Sequence, residues 1–367
     1  MKKPKNFTYL LYVIILVCLF LVGREVIENS RGLPYDNITI FCLICFFISF
    51  VATGLLYELG HLLGALISGY EIVSFNIFGL AFVKVNDKVS IRFEGYNGFT
   101  GETKVAPKKE KANPTFFFLS GFLLVFIVNI TLLLVALLGK EISEHHPVFY
   151  YGTILFAALS LFITLYSVVP LNVDNLSDGM NLRYIRKGKI EEFNKLCNLQ
   201  KQIINGEKLN NVDAITDFNA GVSMQNFLAF NSAIYEGNYQ RAQEIIDLLY
   251  EHSDRVVPAE YNNIIPGKLL VLLKTATKEE FLNSYNTLPS SYRSYITKLE
   301  SLECCRVNLL ISGIIFENEV AVNNCLRKYK TLLDKIKYAG IKEQEEKLAN
   351  DYLKEVQEAH PEWNVAW

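Results

Sequence analysis

Charged residues are almost absent from four long stretches in the first half of the chain. These stretches are rich in Leu, Ile, Val and Phe, whereas the second half is rich in Lys, Glu, Asn and Gln. Apolar runs of this length belong in a bilayer and a polar composition belongs in water, so the asymmetry predicts a membrane part followed by a soluble part. The lipid bilayer is therefore an expected partner of the first half.

An excess of basic residues is also missing. The formal net charge is -2, from 36 Lys and Arg against 38 Asp and Glu, so no nucleic-acid partner is expected. Cysteine is present, but without the spacing to histidine that zinc sites need. We interpret the seven cysteines as reduced thiols; they are Cys18, Cys42, Cys45, Cys197, Cys304, Cys305 and Cys325.

The apolar stretches are long enough to cross a bilayer, which takes about 20 residues. We predict spans at residues 8–23, 38–68, 115–138 and 148–169, the last of them closed by Pro170. The first stretch also resembles a signal peptide. Because no small-residue cleavage motif follows it, we interpret it as a retained span.

Basic residues are concentrated in three connections, and such clusters favour the cytoplasmic side of a membrane. One precedes the first span, one lies between the second and third spans, and one follows the fourth. The two other connections, residues 24–37 and 140–147, contain few basic residues. This alternation predicts a multi-pass protein of the cell membrane with both termini in the cytoplasm.

The segment between the second and third spans has a different residue composition. Residues 74–94 are aromatic and β-branched, with a turn signal at Asn86-Asp87, and predict a β-hairpin at the membrane surface. The glycines that follow, Gly95, Gly98 and Gly101, indicate a flexible loop.

The second half predicts a separate helical domain. We place a transmembrane domain at residues 1–190 and a cytosolic helical domain at 191–367. Residues 226–250 resemble one tetratricopeptide-type helix pair, and a plain helical bundle is the alternative. The predicted fold class is thus mostly α: a polytopic membrane core of about four spans with a small β-hairpin, followed by a soluble α-helical domain.

One segment of the second span contains titratable groups. Its sequence is Tyr57-Glu58-Leu59-Gly60-His61, in which the first and last residues share a helix face. Ionisable residues inside a span are costly and indicate a functional site. Asp178, after the fourth span, is predicted at the same membrane depth. The alternatives are an ion pair of Glu58 with a basic residue of 70–114, a hydrogen-bonded core histidine, and an ordinary Asp-Gly turn.

These features resemble the site-2 protease family of intramembrane zinc metallopeptidases. That family carries H-E-x-x-H on one core span, and an Asn-x-x-Pro element and an Asp-Gly pair on a later one. The matching pieces here begin at Glu58 and include Pro170 and Asp178, so the resemblance covers residues 38–190. It implies that Glu58 is a general base and that His61 and Asp178 bind zinc, whose activated water attacks a peptide bond.

Two positions depart from the family pattern. Tyr57 stands at the first zinc-ligand histidine, and Ser167 stands at the asparagine of Asn-x-x-Pro. A free phenol titrates near pH 10, so its deprotonation near neutrality costs about 4 kcal/mol. An imidazole is already neutral there, which makes Tyr57 the weakest candidate ligand. His145 and His146 are predicted on the opposite side of the membrane and do not replace it.

Three functional hypotheses follow. The first is a zinc peptidase that cleaves or processes a membrane-associated peptide near the cytoplasmic face. The second is a catalytically silent protease fold that binds a membrane peptide or protein partner. The third is a membrane scaffold that recruits a cytosolic protein partner through residues 191–367.

Overall fold

A computed structural model describes residues 38–94, 101–109, 112–138, 145–170 and 176–366, with six single residues before position 25. The predicted first span, 8–23, lies outside the fully described ranges. The chain divides into two compact units, one ending at Lys201 and one beginning at Gln202. We call them the membrane unit and the helical unit.

Among the described residues, three helices are long and apolar enough to cross a membrane. They are α1 (Ile38–Ile67), α2 (Thr115–Leu138) and α3 (Pro147–Val168). The predictions of apolar, membrane-length helices at 38–68, 115–138 and 148–169 are therefore confirmed. Many large apolar side chains of these helices stay exposed on the protein, which suits contact with lipid. Their orientation remains a prediction.

Helices α1 and α2 pack closely because glycine faces the contact. A Cβ atom added at Gly60 would lie 2.5 Å from the Ser120 carbonyl oxygen and 2.7 Å from the Gly121 Cα. Both neighbours are backbone atoms, which cannot move aside without separating the helices. Gly152 on α3 differs, because an added Cβ there would meet its nearest side-chain atoms at 4.0 Å.

We therefore expect Gly60→Ala to lower the melting temperature of the membrane unit, whereas Gly152→Ala leaves it unchanged. Overpacking of this kind costs about 1–3 kcal/mol. Thermal unfolding in detergent, followed by circular dichroism, provides the measurement. Equal melting temperatures for the two variants would show that the α1–α2 contact is looser than described.

The chain between α1 and α2 forms a four-stranded antiparallel sheet rather than a hairpin. Its strands are β1 (Tyr70–Ile77), β2 (Leu80–Val85), β3 (Lys88–Phe93) and β4 (Gly101–Pro107). Their order is β3-β2-β1-β4, which places β3 and β4 at the two edges.

The predicted hairpin at 74–94 is confirmed in part: β2 and β3 pair across the turn at Asn86-Asp87, but the prediction missed the turn between β1 and β2. Phe78 and Gly79 both have positive φ, at 47° and 87°, as a two-residue hairpin turn requires. The Asn76 side chain accepts a hydrogen bond from the Gly79 N–H at 3.1 Å. Gly79 is a common turn residue, but phenylalanine is not, so only one of the two turn positions could be recognised from the sequence.

Strand β4 begins at a glycine that had predicted a loop. Gly101 pairs with Ile77 of β1. A Cβ atom added to Gly101 would collide with the Asn76 carbonyl oxygen and lie 3.1 Å from the Glu58 Cγ. Gly101 therefore marks a close approach of the strand to its neighbours. Gly95 and Gly98 lie outside the described residues.

Two short helices complete the membrane unit, α4 (Asp178–Arg186) and α5 (Ile190–Ile204). The Tyr70 hydroxyl of β1 donates to the Asn194 side chain of α5 at 2.6 Å. Cys197 is buried in the same core as Tyr70. Because α5 packs on the sheet in this way, the unit extends to Lys201, beyond the predicted domain boundary at 190.

An ion-pair cluster at the base of the sheet reinforces this contact. Glu71 of β1 pairs with Lys84 of β2 at 3.2 Å and with Lys201 of α5 at 2.5 Å. Hydrogen bonding to Lys201 is the main reason that the pKa of Glu71 is below its usual value, and Lys84 contributes in the same direction.

The helical unit contains, after the end of α5, nine α-helices among its described residues. They are α6 (Ser223–Tyr235), α7 (Tyr239–Glu251), α8 (Pro258–Tyr261), α9 (Ile264–Thr275), α10 (Lys278–Thr287), α11 (Ser290–Lys298), α12 (Leu302–Leu310), α13 (Glu319–Leu333) and α14 (Ala339–Ala359). Helices α6 and α7 form the helix pair expected at 226–250, with Gly237 in the connection at φ 72°. Its tetratricopeptide character remains a prediction.

The core of the helical unit contains one charged cluster. Arg306 of α12 forms an ion pair with Glu345 of α14, and both side chains are about 1% exposed. The Tyr235 and Tyr329 hydroxyls donate to the same carboxylate at 2.6 and 2.9 Å. Burial raises the pKa of Tyr235 to about 12, so its hydroxyl remains a donor at every physiological pH.

A second carboxylate of the helical unit is protonated more easily than usual. Burial raises the pKa of Glu260 from 4.5 to about 7, although the Ser223 hydroxyl donates to it at 2.8 Å. The folded state therefore binds a proton that the unfolded state has already lost between pH 4.5 and 7. The stability of the helical unit should fall as the pH rises through this range.

We expect Glu260→Gln to flatten this pH dependence and to stabilise the helical unit by about 1–2 kcal/mol at pH 8. The only two tryptophans, Trp363 and Trp367, follow Gln202, so thermal unfolding followed by tryptophan fluorescence reports on this unit. The exposed Glu358→Gln is the control and should leave the pH profile unchanged. A wild-type melting temperature that rises from pH 5 to pH 8 would contradict the assignment to Glu260.

Candidate functional site

Helix α1 presents the three titratable side chains that the sequence singled out. Tyr57 and His61 lie one turn apart, as their spacing predicts. Their rings meet edge to face with centroids 4.7 Å apart. Tyr57, Glu58 and His61 are all buried, at 7%, 3% and 5% exposure.

Asp178 is held in place by the start of α4. The Ser177 side chain caps this helix by accepting the Met180 N–H, and it donates to the Val169 carbonyl at 2.8 Å. Gly179 is required here because a Cβ atom would collide with the Val168 carbonyl. The Asp-Gly pair therefore begins a helix pressed against the end of α3, and the alternative of an ordinary turn is wrong.

The structure brings Tyr57, His61 and Asp178 together. The Tyr57 hydroxyl donates a hydrogen bond to Asp178 Oδ2. His61 Nε2 lies 3.2 Å from the same oxygen. One carboxylate oxygen thus joins two side chains of α1 to the start of α4, and we call these three residues the Tyr-His-Asp cluster.

The second ring nitrogen of His61 fixes the direction of its hydrogen bonds. Nδ1 lies 2.8 Å from the Phe117 carbonyl oxygen of α2, and a carbonyl only accepts, so Nδ1 carries a proton. With Nδ1 protonated, the Nε2 of a neutral imidazole carries a lone pair, so a hydrogen bond between Nε2 and Asp178 needs one further proton shared by the pair. Asp178 Oδ2 is therefore the common partner in the cluster, since it accepts from Tyr57 and lies 3.2 Å from His61 Nε2.

Glu58 lies on a neighbouring face of α1 and contacts the sheet. Its carboxylate accepts a hydrogen bond from the Thr103 hydroxyl of β4 at 2.7 Å. Within the described ranges Glu58 makes no ion pair, so the alternative of a partner among the basic residues of 70–114 is not supported there. Thr103 and the Phe117 carbonyl are the partners that sequence reasoning missed. No local sequence pattern marks either of them, because both contacts arise from tertiary packing.

The surroundings of the cluster come from α2 and α3. A Cβ atom added at Gly121 would lie 2.9 Å from His61 Nε2 and 3.0 Å from the Tyr57 carbonyl oxygen, so this glycine lets α2 approach the cluster. Ser167 of α3 lies near the Tyr57 hydroxyl. His146 precedes Pro147, at the far end of α3, so it does not approach the cluster.

Zinc does not fit this cluster as the residues stand. Catalytic zinc uses three protein ligands, and the cluster offers one imidazole, one carboxylate and one phenol. The phenol proton is engaged with Asp178, so the oxygen that would have to bind the metal is instead a donor. No group of three His, Cys, Asp or Glu side chains suited to a metal occurs in the part of the chain that the structure describes.

Comparison with known proteins adds no assignment. No protein-family model, no curated protein and no solved structure matches this chain. The function is therefore inferred from the geometry around Glu58 and the Tyr-His-Asp cluster.

Proposed function

We propose that this chain is a catalytically silent relative of the intramembrane metallopeptidases, which binds an extended segment of a membrane-associated partner without cleaving it. The observation that supports this most strongly is the hydrogen bond from Tyr57 to Asp178. This hydrogen bond occupies the carboxylate oxygen that a metal would need. Tyr57, a neutral donor, stands where the first imidazole of the zinc site would be.

The binding surface in this proposal is strand β4. It is an edge strand, so alternate backbone N–H and C=O groups point away from β1. Such an edge can pair with an extended peptide, whose main chain provides the affinity. Thr103 connects this strand to Glu58, so a segment paired with β4 would run beside the candidate site.

Proteolysis is the competing function, and one observation favours it. The Nδ1–H of His61 donates to a backbone carbonyl, an arrangement that often orients a metal-binding imidazole. The two functions differ in the fate of the partner, because a binding protein leaves it intact and a peptidase shortens it.

Site-specific photo-crosslinking tests the proposal. A photo-reactive residue replaces Glu102 on β4, and the control replaces Val89 on the opposite edge strand β3. We expect a membrane-associated partner to be crosslinked at 102 and not at 89, with mass spectrometry showing it at full length.

The variant Glu58→Gln separates binding from cleavage. If the chain only binds, the partner has the same length in wild type and variant. Accumulation of a longer partner in Glu58→Gln would show that wild type cleaves it, and the proposal would then be rejected. Crosslinks of equal yield at 102 and 89 would reject β4 as the binding edge.

A further inference from the structure

A cavity of about 430 Å³ lies where two membrane-length helices end. Its lining residues come from the last residue of α1 and the one after it, from the first turns of α2, and from the residue two positions before α2. They are Ile67, Ser68, Asn113, Thr115, Phe116 and Leu119. Because both apolar spans end here, the cavity is at the depth where hydrocarbon gives way to headgroups.

The lining of the cavity is divided between apolar and polar groups. Ile67 and Phe116 expose 72% and 40% of their surface, and together with Leu119 they form the apolar part. Ser68, Asn113 and Thr115 form the polar part. The Ser68 hydroxyl oxygen is buried and has no hydrogen-bond partner among the described residues. Buried hydroxyls are normally hydrogen-bonded, so the partner of Ser68 is expected to be a bound molecule.

Two lysines stand beside the polar part. The Lys108 N–H donates to the Gly69 carbonyl at 3.0 Å, which holds the chain at Lys108 next to Ser68. Lys108 and Lys109 are exposed, and neither pairs with an acidic side chain in the described ranges. The polar part of the cavity therefore lies beside two lysines that have no acidic partner among the described residues.

We propose that this cavity binds the headgroup and glycerol region of an anionic phospholipid. The phosphate would face Lys108 and Lys109 and accept a hydrogen bond from Ser68. The acyl chains would pack against Ile67, Phe116 and Leu119. A soluble phosphate would satisfy the lysines but would leave the apolar part of the cavity in water. The proposal depends on α1 and α2 lying in a bilayer, and it is independent of whether the chain binds or cleaves a partner.

Lipid binding in this cavity would affect the candidate site through contacts made by α2. Phe116 lines the cavity, and the next residue, Phe117, accepts the hydrogen bond of His61. A lipid that fixes the first turn of α2 would therefore also fix the acceptor that orients this imidazole.

The test measures lipid affinity of the full chain in detergent by native mass spectrometry, with phosphatidylglycerol and phosphatidylcholine as probes. We expect phosphatidylglycerol to bind more tightly. The double variant Lys108→Gln/Lys109→Gln should bind it about 30-fold more weakly, because each lysine near an anionic surface contributes about 1 kcal/mol and 1.4 kcal/mol is a factor of ten.

Two further variants make the test specific. Arg186→Gln/Lys187→Gln removes two exposed basic residues at the end of α4 and should change the affinity less than threefold. Ser68→Leu keeps both lysines but fills the cavity, and should weaken phosphatidylglycerol binding. Three results would each overturn the proposal. They are a loss of phosphatidylglycerol affinity in the Arg186→Gln/Lys187→Gln variant as large as in the Lys108→Gln/Lys109→Gln variant, an unchanged affinity in Ser68→Leu, and displacement of phosphatidylglycerol by glycerol phosphate at equal concentration.

Discussion

Replacing Arg306 with methionine is expected to destabilise the helical unit by about 3–5 kcal/mol, because Glu345 would be left buried without its charged partner. The remaining donors, Tyr235 and Tyr329, are neutral. They hydrogen-bond the carboxylate but do not neutralise it. A loss of this size is a large part of the stability of a typical domain.

Tryptophan fluorescence during denaturant unfolding measures this effect in the helical unit. The control is Lys278→Met, which breaks an exposed ion pair to Glu317 and should cost less than about 1 kcal/mol. The double variant Arg306→Met/Glu345→Gln should recover part of the loss, because no charge is then left buried. An Arg306→Met variant as stable as the Lys278→Met control would mean that the cluster does not stabilise the core.

Replacing Tyr57 with histidine is expected to create a zinc site where wild type has none. The variant would offer two imidazoles one helical turn apart and the Asp178 carboxylate, the ligand number of catalytic zinc. Two of these groups are already held in place, His61 by the Phe117 carbonyl and Asp178 by the start of α4. Such support normally raises metal affinity by about 10–100-fold.

Zinc content of the purified variant, measured by mass spectrometry, checks this prediction. We expect about one zinc per chain in Tyr57→His, by analogy with three-ligand sites. The matched control is Tyr57→Phe, which also removes the hydroxyl but adds no ligand and should remain free of zinc. A Tyr57→His protein without zinc would show that the backbone spacing around α1 and α4 no longer suits a metal.

Much of the membrane unit could be predicted from its sequence. Long apolar runs with almost no charge mark α1, α2 and α3, because a bilayer tolerates few alternatives to an apolar helix. The four-stranded sheet was harder to predict, because the turn at Phe78 depends on a positive φ, which phenylalanine rarely adopts. Strand β4 was missed since Gly101 is used for close approach to Glu58, and such a glycine looks the same as a loop glycine.

The candidate site was predicted in part for a similar reason. Tyr57 and His61 are four residues apart, so helix geometry alone placed them on one face. Their proximity to Asp178, far along the chain, was predicted from the topology of the spans, which puts both at the cytoplasmic ends, and from the family resemblance. The partners Thr103 and the Phe117 carbonyl come from tertiary packing, which no local pattern in the sequence records.

The zinc content of the wild-type protein tests the central claim most directly. The chain is purified in detergent without chelators, incubated with equimolar zinc, passed through a desalting column and analysed for bound metal. The Tyr-His-Asp cluster predicts less than about one zinc per ten chains, because a neutral phenol replaces the third of the protein ligands that catalytic zinc uses. One zinc per chain, together with cleavage of a partner that Glu58→Gln abolishes, would contradict it.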